Sequence, residues 1–289
     1  MQPGTSPEKP AQPRVSFCLG TPPPALRTTF TESLKGISMA EQPVALITGS
    51  GKRRIGSFVA DALADRNYRI VIHYRTSEEE ALSQVEQYQM RGIEAIAVQA
   101  DLCDELQVRA LVDETLRQFG RIDVLVNCAA IWNKKPFEEV TAADVRAHFE
   151  VNTLATFLCA QYAGLAMVSQ ESGGNIVNVG DWATVRPYRN YAAYFPSKAA
   201  IPGLTRNLAV ELGTRNPNIR VNCVLPGPVM LPADLGPEER NSAIRATLVK
   251  REGTPHNVVQ AVLFFLDNDF VTGVSLPVDG GRSIYAPDS

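Results

Sequence analysis

Tyr194 and Lys198 have the types and the spacing that general acid chemistry requires. Four positions separate them, so both side chains lie on one face of a helix. A phenol has an ordinary pKa of about 10, and it exchanges protons near neutral pH only when its surroundings favour the transfer. A neighbouring ammonium group favours it by lowering the pKa of the phenol. The pair therefore predicts a proton donor, with an exposed surface pair as the alternative interpretation.

The surroundings of this pair favour an active site over a chance occurrence. The apolar run Ile176–Val179 precedes it and is rich in β-branched residues, as expected of a buried strand. Far upstream, Gly49 and Gly51 lie between another apolar run and an amphipathic segment, which is the arrangement of a glycine-rich strand-to-helix turn. An active site built from both segments needs a fold that brings their ends together.

Apolar runs and amphipathic segments alternate along the chain from Val44 onward. The runs predict seven strands, at residues 44–48, 69–73, 94–99, 124–127, 175–179, 220–225 and 273–278. The segments between them predict helices at residues 55–66, 77–91, 104–119, 142–166 and 191–212, and a last helix capped by Thr254. Such alternation produces parallel sheets through right-handed crossovers. The predicted fold class is α/β: a single doubly wound Rossmann-type domain with a seven-stranded parallel sheet and helices on both faces.

Residues 1–40 differ from the rest of the chain. They are rich in Pro, Ser and Thr and show no sustained hydrophobic period, which is typical of disordered segments. We expect a disordered or non-native leader here, with a transit peptide and a true start at Met39 as the two more specific interpretations. Residues 41–289 are predicted to form the single dinucleotide-binding domain, including a C-terminal segment that contributes to the substrate pocket.

The composition argues against several classes of function. The formal net charge is −3 and the basic residues form no long block, which does not fit a nucleic-acid-binding protein. No apolar run reaches the roughly 18 residues of a membrane span. The five cysteines and three histidines show no metal-ligand spacing, so we expect no metal site. An odd number of unclustered cysteines is typical of reduced thiols, which predicts a cytoplasmic location.

The glycine-rich turn after the first strand predicts a nucleotide site. Its glycines allow the backbone to approach a pyrophosphate, and the next helix offers unpaired N–H groups at its N-terminus. The spacing is wider than the usual G-x-G-x-x-G pattern. We expect Gly49, Gly51, Arg54 and Ile55 to contact a dinucleotide, with a purely structural turn as the alternative.

The end of the second predicted strand indicates which dinucleotide binds. Its residues are His73, Tyr74, Arg75, Thr76 and Ser77. They include no Asp or Glu, the residue that usually accepts hydrogen bonds from the ribose of NADH. An arginine and two hydroxyl groups are instead suited to the 2′-phosphate of NADPH. We predict NADPH as the cofactor, held in part by these five residues; a surface charge without a role is the alternative for Arg75.

The segment from Asn175 to Lys198 resembles the active-site segment of the short-chain dehydrogenase/reductase family, and the resemblance covers roughly residues 41–289. It implies hydride transfer from a nicotinamide, with Tyr194 supplying the proton. Lys198 would lower the pKa of Tyr194 and hold the ribose. The resemblance also implies the following residues: Asp101 and Leu102 at the adenine, Asn127 and Ala129 after the fourth strand, Asn152 supporting a water near the lysine, and Pro226 and Gly227 beside the nicotinamide.

Asp181 stands where most members of this family carry a serine. An ionised carboxylate accepts hydrogen bonds but donates none, and its charge repels a developing alkoxide. An aspartate here is a feature of the pteridine reductases and of related dihydropterin and dihydrofolate reductases. The chain also resembles them in its segments 54–56 and 73–77. This resemblance implies a pterin substrate that contacts Trp132, Asp181, Tyr194 and Arg54.

Two other functions stay open at this point: a carbonyl reductase of the family, such as a 3-oxoacyl reductase, and a regulator that binds NADP(H) without turnover. The expected partner is a small molecule, rather than nucleic acid or a membrane. The resemblance also implies a homotetramer or homodimer. We expect the helices at 142–166 and 191–212 to pair across its interface, with contributions from Phe157, Leu158, Leu204 and Leu208.

Overall fold

A parallel sheet of seven strands runs through the part of the protein that the computed structural model describes, residues 42–231 and 235–286. The strands are β1 (Val44–Thr48), β2 (Arg69–Tyr74), β3 (Ala95–Gln99), β4 (Val124–Asn127), β5 (Gly174–Val179), β6 (Ile219–Pro226) and β7 (Ser275–Val278). Their order is β3-β2-β1-β4-β5-β6-β7, and each neighbouring pair is parallel. The predicted sheet is confirmed. Because the strand order reverses between β1 and β4, a crevice opens at their carboxyl ends.

Helices connect the strands within the described residues. They are α1 (Ile55–Ala64), α2 (Glu78–Met90), α3 (Glu105–Phe119), α4 (Ala142–His148), α5 (Ala155–Val168), α6 (Tyr194–Gly213), α7 (Pro237–Arg245) and α8 (Pro255–Asp267). Helix α7 lies in a segment for which the sequence analysis predicted no element. A proline followed by two glutamates begins it, which is a recognisable helix-start signal. The leader predicted for residues 1–40 lies outside the described residues.

Side-chain caps begin two helices where the sequence predicted them. The Thr141 hydroxyl accepts a hydrogen bond from the Asp144 N–H, and the Asp144 carboxylate accepts one from the Thr141 N–H. Thr254 and Asn257 form the same capping box in front of α8, whose first residue is Pro255. Each such cap contributes about 1 kcal/mol by satisfying N–H groups that have no partner within the helix.

Alternate residues of β1 belong to opposite faces of the sheet. Ala45 and Ile47 are fully buried in a cluster that includes residues of α1 and α8. Val44 and Leu46 are fully buried in a second cluster that includes residues of α3 and α5. Both faces are therefore covered, as expected of a parallel sheet. The carboxyl edge is the part of the sheet that is left to bind a ligand.

Helices α4 and α5 form one helical stretch with a π-helical segment, Phe149–Leu154, between them. The sequence predicted a single regular helix at 142–166, so the π segment was missed. The stretch is long and apolar enough to cross a membrane, but half of its most apolar window is buried inside the protein. Such burial is typical of a core helix. The π segment carries the buried Asn152, which contributes to the site described below.

Two of the residues expected at a subunit interface belong to the core of the protomer. Leu158 and Leu208 are 6% and 4% exposed and share a cluster beneath the sheet, so their assignment to an interface was wrong. Both helices are apolar and show little hydrophobic periodicity, so their sequences did not indicate which side chains face the core and which face solvent. The exposed apolar residues of α5 and α6 include Leu165 and Val210.

Candidate active site

A cleft of about 520 Å³ runs along the carboxyl edge of the sheet. Most of its lining comes from the segments that follow β1 to β6, which the parallel topology brings to one edge. Most of the sequence-predicted site residues line it: Gly49, Gly51, Arg54, Ile55, His73, Tyr74, Arg75, Thr76, Ser77, Asp101, Leu102, Ala129, Trp132, Asp181, Tyr194, Lys198, Pro226 and Gly227. Asn127 and Asn152 are buried behind this lining.

Asp181 and Tyr194 are joined by a hydrogen bond at the centre of the cleft. The Tyr194 hydroxyl lies 2.7 Å from Oδ2 of Asp181 and donates to it. The other carboxylate oxygen, Oδ1, accepts a hydrogen bond from the N–H of Ala183 at 2.7 Å. This contact caps a short 3₁₀ helix, Trp182–Thr184. The carboxyl group is thus held in place by one backbone donor and one phenol.

Lys198 is buried one helical turn beyond Tyr194 on α6. Its Nζ donates a hydrogen bond to the carbonyl oxygen of Val179 at 2.7 Å. This contact connects the helix that carries the tyrosine to the end of β5. The predicted juxtaposition of Tyr194, Lys198 and the end of this strand is therefore present.

Burial sets the proton affinities of these three groups. It raises the pKa of the Asp181 carboxyl, with hydrogen bonds from Tyr194 and Ala183 opposing it. Burial and the Asp181 charge raise the pKa of the Tyr194 phenol well above its ordinary value. Burial also lowers the pKa of the Lys198 ammonium. The expectation that Lys198 lowers the pKa of Tyr194 is not met here, because burial and the Asp181 carboxylate, which accepts the hydrogen bond of the phenol, raise that pKa.

Asn152 acts on the site through two neighbours. Its side-chain oxygen accepts from the N–H of Ile131 at 2.8 Å, and its Nδ2 donates to the Ile131 carbonyl at 3.1 Å and to the Ser197 hydroxyl at 2.9 Å. Ile131 precedes Trp132 in the chain, and Ser197 precedes Lys198. Asn152 therefore fixes the loop of the predicted substrate aromatic relative to the helix of the catalytic pair.

Asn127 connects the ends of two strands rather than lining the cleft. Its Nδ2 donates to Oδ1 of Asn178 at 3.0 Å. Its own Oδ1 is buried and has no hydrogen-bonding partner among the described residues. The side chain thus ties β4 to β5 directly behind the cofactor half of the cleft.

The glycine turn after β1 is held by a buried histidine. Gly49 has a φ of +64°, and a Cβ there would lie 2.7 Å from Cα of Ala129, so only glycine fits. Its N–H donates to Nδ1 of His73 at 2.9 Å, and Nε2 of His73 lies 3.0 Å from the carbonyl oxygen of Ala100. This pattern requires the neutral imidazole with its proton on Nε2. Burial lowers the pKa of His73 to about 4.

The geometry around this turn fits the phosphates of a dinucleotide. A Cβ on Gly51 would lie 2.6 Å from Oγ of Ser77, so the turn packs closely against the end of β2. The first residue of α1, Ile55, lines the cleft, so the positive end of that helix faces it. Arg54 and Arg75 line the same region, and Nη1 of Arg75 lies 4.0 Å from Oδ2 of Asp101.

An aromatic cluster forms the opposite end of the cleft. Trp132 is 40% exposed and stacks on Tyr191, with ring centroids 5.1 Å apart and an angle of 7° between the planes. The sequence analysis missed several other lining residues: Trp182, Tyr188, Met230, Leu231 and Arg282. The concentration of aromatic residues between positions 182 and 195 was a usable signal. Arg282 offered no such local signal, since it lies 101 positions beyond Asp181 in the chain.

The parallel sheet, its strand reversal and the glycine turn place the chain among the Rossmann-type dinucleotide-binding proteins. Residues 49–283 match the family model described as enoyl-(acyl carrier protein) reductase. The chain belongs to the short-chain dehydrogenase/reductase family of oxidoreductases.

Three relatives illustrate this similarity. The 3-oxoacyl-[acyl-carrier-protein] reductase of Staphylococcus aureus is 31% identical, over 82% of this chain and 96% of its own length. A short-chain dehydrogenase from Burkholderia cenocepacia, solved in complex with NADP, is 35% identical with a TM-score of 0.76. A blue fluorescent protein from a metagenomic library, solved in complex with NADPH, has the same identity and TM-score. Each of these two structures covers 83% of this chain and 97% of its own.

Proposed function

We propose that the protein is an NADPH-dependent reductase that delivers a proton from the Asp181–Tyr194 pair to a ring nitrogen of a dihydropterin-type substrate. The observation that carries this proposal is the 2.7 Å hydrogen bond between the Tyr194 hydroxyl and Asp181. A serine at position 181 would offer a hydroxyl donor to a carbonyl oxygen. An aspartate offers instead an acceptor for substrate N–H groups and a second proton-binding site.

NADPH is supported by the cleft and by the structural relatives. Arg75, Thr76 and Ser77 line the cleft where β2 ends, and the two related structures hold NADP and NADPH. Arg75 would bind the 2′-phosphate through charge-assisted hydrogen bonds. The backbone of the Gly49–Gly51 turn would bind the pyrophosphate. When bound, NADPH supplies the hydride.

The proton balance follows from the raised pKa values of the pair. A protonated Asp181 passes its proton to Tyr194 as the Tyr194 hydroxyl gives its own proton to the substrate nitrogen. The tyrosine ends neutral and the aspartate ends as a carboxylate. Lys198 stabilises that negative charge, since its ammonium acts to lower the pKa of Asp181. No step leaves two adjacent anions in the buried site.

The position of Trp132 favours a flat aromatic substrate. Its ring lines the cleft and is already held by the stack on Tyr191. A pterin ring offers the π-surface that such a side chain binds, with about 0.5–1.5 kcal/mol beyond simple burial. Asn152 holds the preceding residue, Ile131, in two hydrogen bonds. The aromatic face is thus positioned before the substrate arrives.

A 3-oxoacyl reductase is the second candidate, and a specific observation favours it. Because burial raises the pKa of Asp181, a protonated carboxyl can donate to a carbonyl oxygen as a serine does. The Staphylococcus aureus relative named above is a 3-oxoacyl-[acyl-carrier-protein] reductase. The two candidates differ in whether the substrate needs an acceptor at position 181.

The setting of the enzyme is part of the same proposal. We infer a cytoplasmic homotetramer or homodimer. Four cysteines in the described residues are free: Cys103, Cys128, Cys159 and Cys223. Reduced thiols are typical of a reducing compartment. The partner would be a small molecule, most simply a dihydropterin or dihydrofolate.

A substrate screen tests the proposed function. NADPH oxidation is followed with dihydrobiopterin, dihydrofolate, an acetoacetyl thioester and a simple quinone under identical conditions. We expect the highest kcat/KM for a pterin. The highest value for the acetoacetyl thioester would replace this proposal by the second candidate, and no turnover of any compound despite NADPH binding would favour a regulator.

A further inference from the structure

Arg282 lies at the substrate end of the cleft, outside the machinery assigned so far. Its side chain lines the cleft and is half-buried. The guanidinium carbon lies 4.5 Å from the centroid of the Trp182 ring, which is within the range of a cation–π contact. Because Trp182 directly follows Asp181, the guanidinium lies beside the segment that carries the proton-binding carboxyl.

The guanidinium has no hydrogen-bond or ion-pair partner within residues 42–231 and 235–286. Its contacts there are the Trp182 ring and longer-range charge interactions with Tyr188, Asp181 and Asp279. Partial burial lowers the pKa of Arg282, and the nearby Arg186 acts in the same direction. A half-buried cation with unused donors is costly, and an anionic ligand offsets that cost.

The backbone that carries Arg282 is held from both sides. The Asp279 carboxylate accepts from the N–H of Gly281 at 2.9 Å and from the N–H of Ser283 at 2.6 Å. Nη1 of Arg186 donates to the carbonyl oxygen of Arg282 at 2.9 Å. The side chain therefore extends into the cleft from a fixed base, which reduces the entropy lost when it binds a ligand.

We propose that Arg282 is a specificity-determining residue that binds a carboxylate on the substrate, so that the enzyme prefers anionic members of its substrate class. A planar guanidinium matches a carboxylate in both geometry and charge. A phosphate carries roughly two charges, for which this single cation is a poor match. The inference deepens the proposed function and rests on it, since it names the charge of the substrate at that same site.

The main alternative is that Arg282 acts only on Asp181. In that case its removal changes proton delivery to every substrate alike. A carboxylate-binding residue instead distinguishes between two ligands that differ in charge. The two roles are separated by binding measurements with matched ligands, which do not depend on turnover.

The test uses 6-carboxypterin and 6-hydroxymethylpterin, which share the ring and differ at the carboxylate. Each is titrated calorimetrically into the full chain loaded with NADP⁺. We expect the wild type to bind 6-carboxypterin about 10- to 100-fold more tightly, the range for hydrogen bonds to a charged group. Arg282→Gln should remove that preference, and Arg282→Lys should keep part of it. Arg189→Gln, at an exposed arginine outside the cleft lining, should keep all of it.

A second matched pair keeps the inference testable if no pterin binds. That outcome would reject the pterin substrate, and kcat/KM for acetoacetate and for methyl acetoacetate would then decide the role of Arg282. An equal loss for both members of a pair in Arg282→Gln, or no charge preference in the wild type, would overturn the inference. NADPH binding by each variant shows that it is folded.

Discussion

At the scale of single residues, the proposed function depends on the proton between Tyr194 and Asp181. In a serine-based site the tyrosine alone supplies the proton, and the neighbouring hydroxyl only orients the substrate oxygen. Here the phenol donates to a carboxylate at 2.7 Å. Burial and that carboxylate raise the pKa of the phenol, whereas the hydrogen bond from the phenol opposes the rise that burial gives the pKa of the Asp181 carboxyl. In the proposed mechanism, Tyr194 gives its proton to the substrate and Asp181 replaces that proton.

Replacing the phenol tests that assignment. Tyr194→Phe should lower kcat by about 10²- to 10⁴-fold, the usual contribution of general acid catalysis, while NADPH binding stays within a few-fold of wild type. Steady-state kinetics and a fluorescence titration of NADPH measure the two effects. Tyr162→Phe is the control, because its hydroxyl bonds to Glu105 outside the cleft. Turnover within about tenfold of wild type in Tyr194→Phe would remove the tyrosine from this role.

Arg75 should determine the choice of cofactor. The wild type should bind NADPH more tightly than NADH, because Arg75 lines the end of β2 where an acid is absent. Arg75→Ala should weaken NADPH binding by about tenfold or more, as expected for a lost charge-assisted contact, and leave NADH unaffected. Arg91→Ala, at an exposed arginine on the far end of α2, serves as the control. Equal affinity of the wild type for both nucleotides would contradict this assignment.

At the scale of elements, the buried His73 makes the glycine turn sensitive to acid. Its neutral ring accepts from Gly49 and donates to Ala100, and protonation would abolish the first contact. The pKa of His73 falls from 6.5 to about 4 on folding. The unfolded chain therefore binds more protons between these two values. Stability from this residue is complete above about pH 6.5 and is lost as the pH falls towards 4.

The size of this loss can be measured by urea unfolding between pH 7 and pH 4.5. The difference between 6.5 and about 4 corresponds to at most about 3 kcal/mol of unfolding free energy. Carboxylates with a lowered pKa, such as Glu114 with a pKa of about 2, lose their stabilising contribution only below this pH window. His73→Gln should flatten the pH dependence in this window, whereas His256→Gln, at an exposed position, should not. The same slope in wild type and His73→Gln would show that another group titrates.

Local signals explain why the sequence predicted some elements and missed others. The capping boxes at Thr141 and Thr254 act over three residues, so they can be recognised in the chain. The π segment at Phe149–Leu154 is different, because the partners of its Asn152 side chain lie in a distant loop and in α6. No pattern within the helix itself encodes those partners. His73 could not be assigned from the sequence for the same reason, because its tautomer is fixed by backbone groups of Gly49 and Ala100, which are distant in the chain.

At the scale of the whole molecule, the topology supplies most of the site. The residues after β1, β2, β4 and β5 meet because parallel strands share a carboxyl edge. Arg282 could not be placed in this way, since its position depends on how the segment after β7 folds back towards Trp182. The pKa of Asp181 could not be predicted either, because it depends on how deeply the folded chain buries the carboxyl group. Burial raises the pKa of this carboxyl.

Assembly is the second property that belongs to this scale. Leu165 and Val210 are 42% and 64% exposed on α5 and α6, the helices expected to pair between subunits. Light scattering at micromolar concentration should give the mass of a dimer or tetramer. Leu165→Glu should shift the protein towards monomer, while Met90→Glu, at an apolar residue 77% exposed on α2, should not. A stable wild-type monomer would contradict this expectation.

We propose that Asp181 adapts the site to a dihydropterin, and one set of kinetic constants is decisive for this proposal. The measurement is kcat/KM for dihydrobiopterin and for an acetoacetyl thioester, in the wild type, Asp181→Ser and Asp181→Asn. We expect the wild type to prefer the pterin. Both variants should lose about 10²-fold or more in pterin reduction, and Asp181→Ser alone should gain activity towards the thioester. A wild-type preference for the thioester, or unchanged pterin turnover in Asp181→Ser, would contradict the claim.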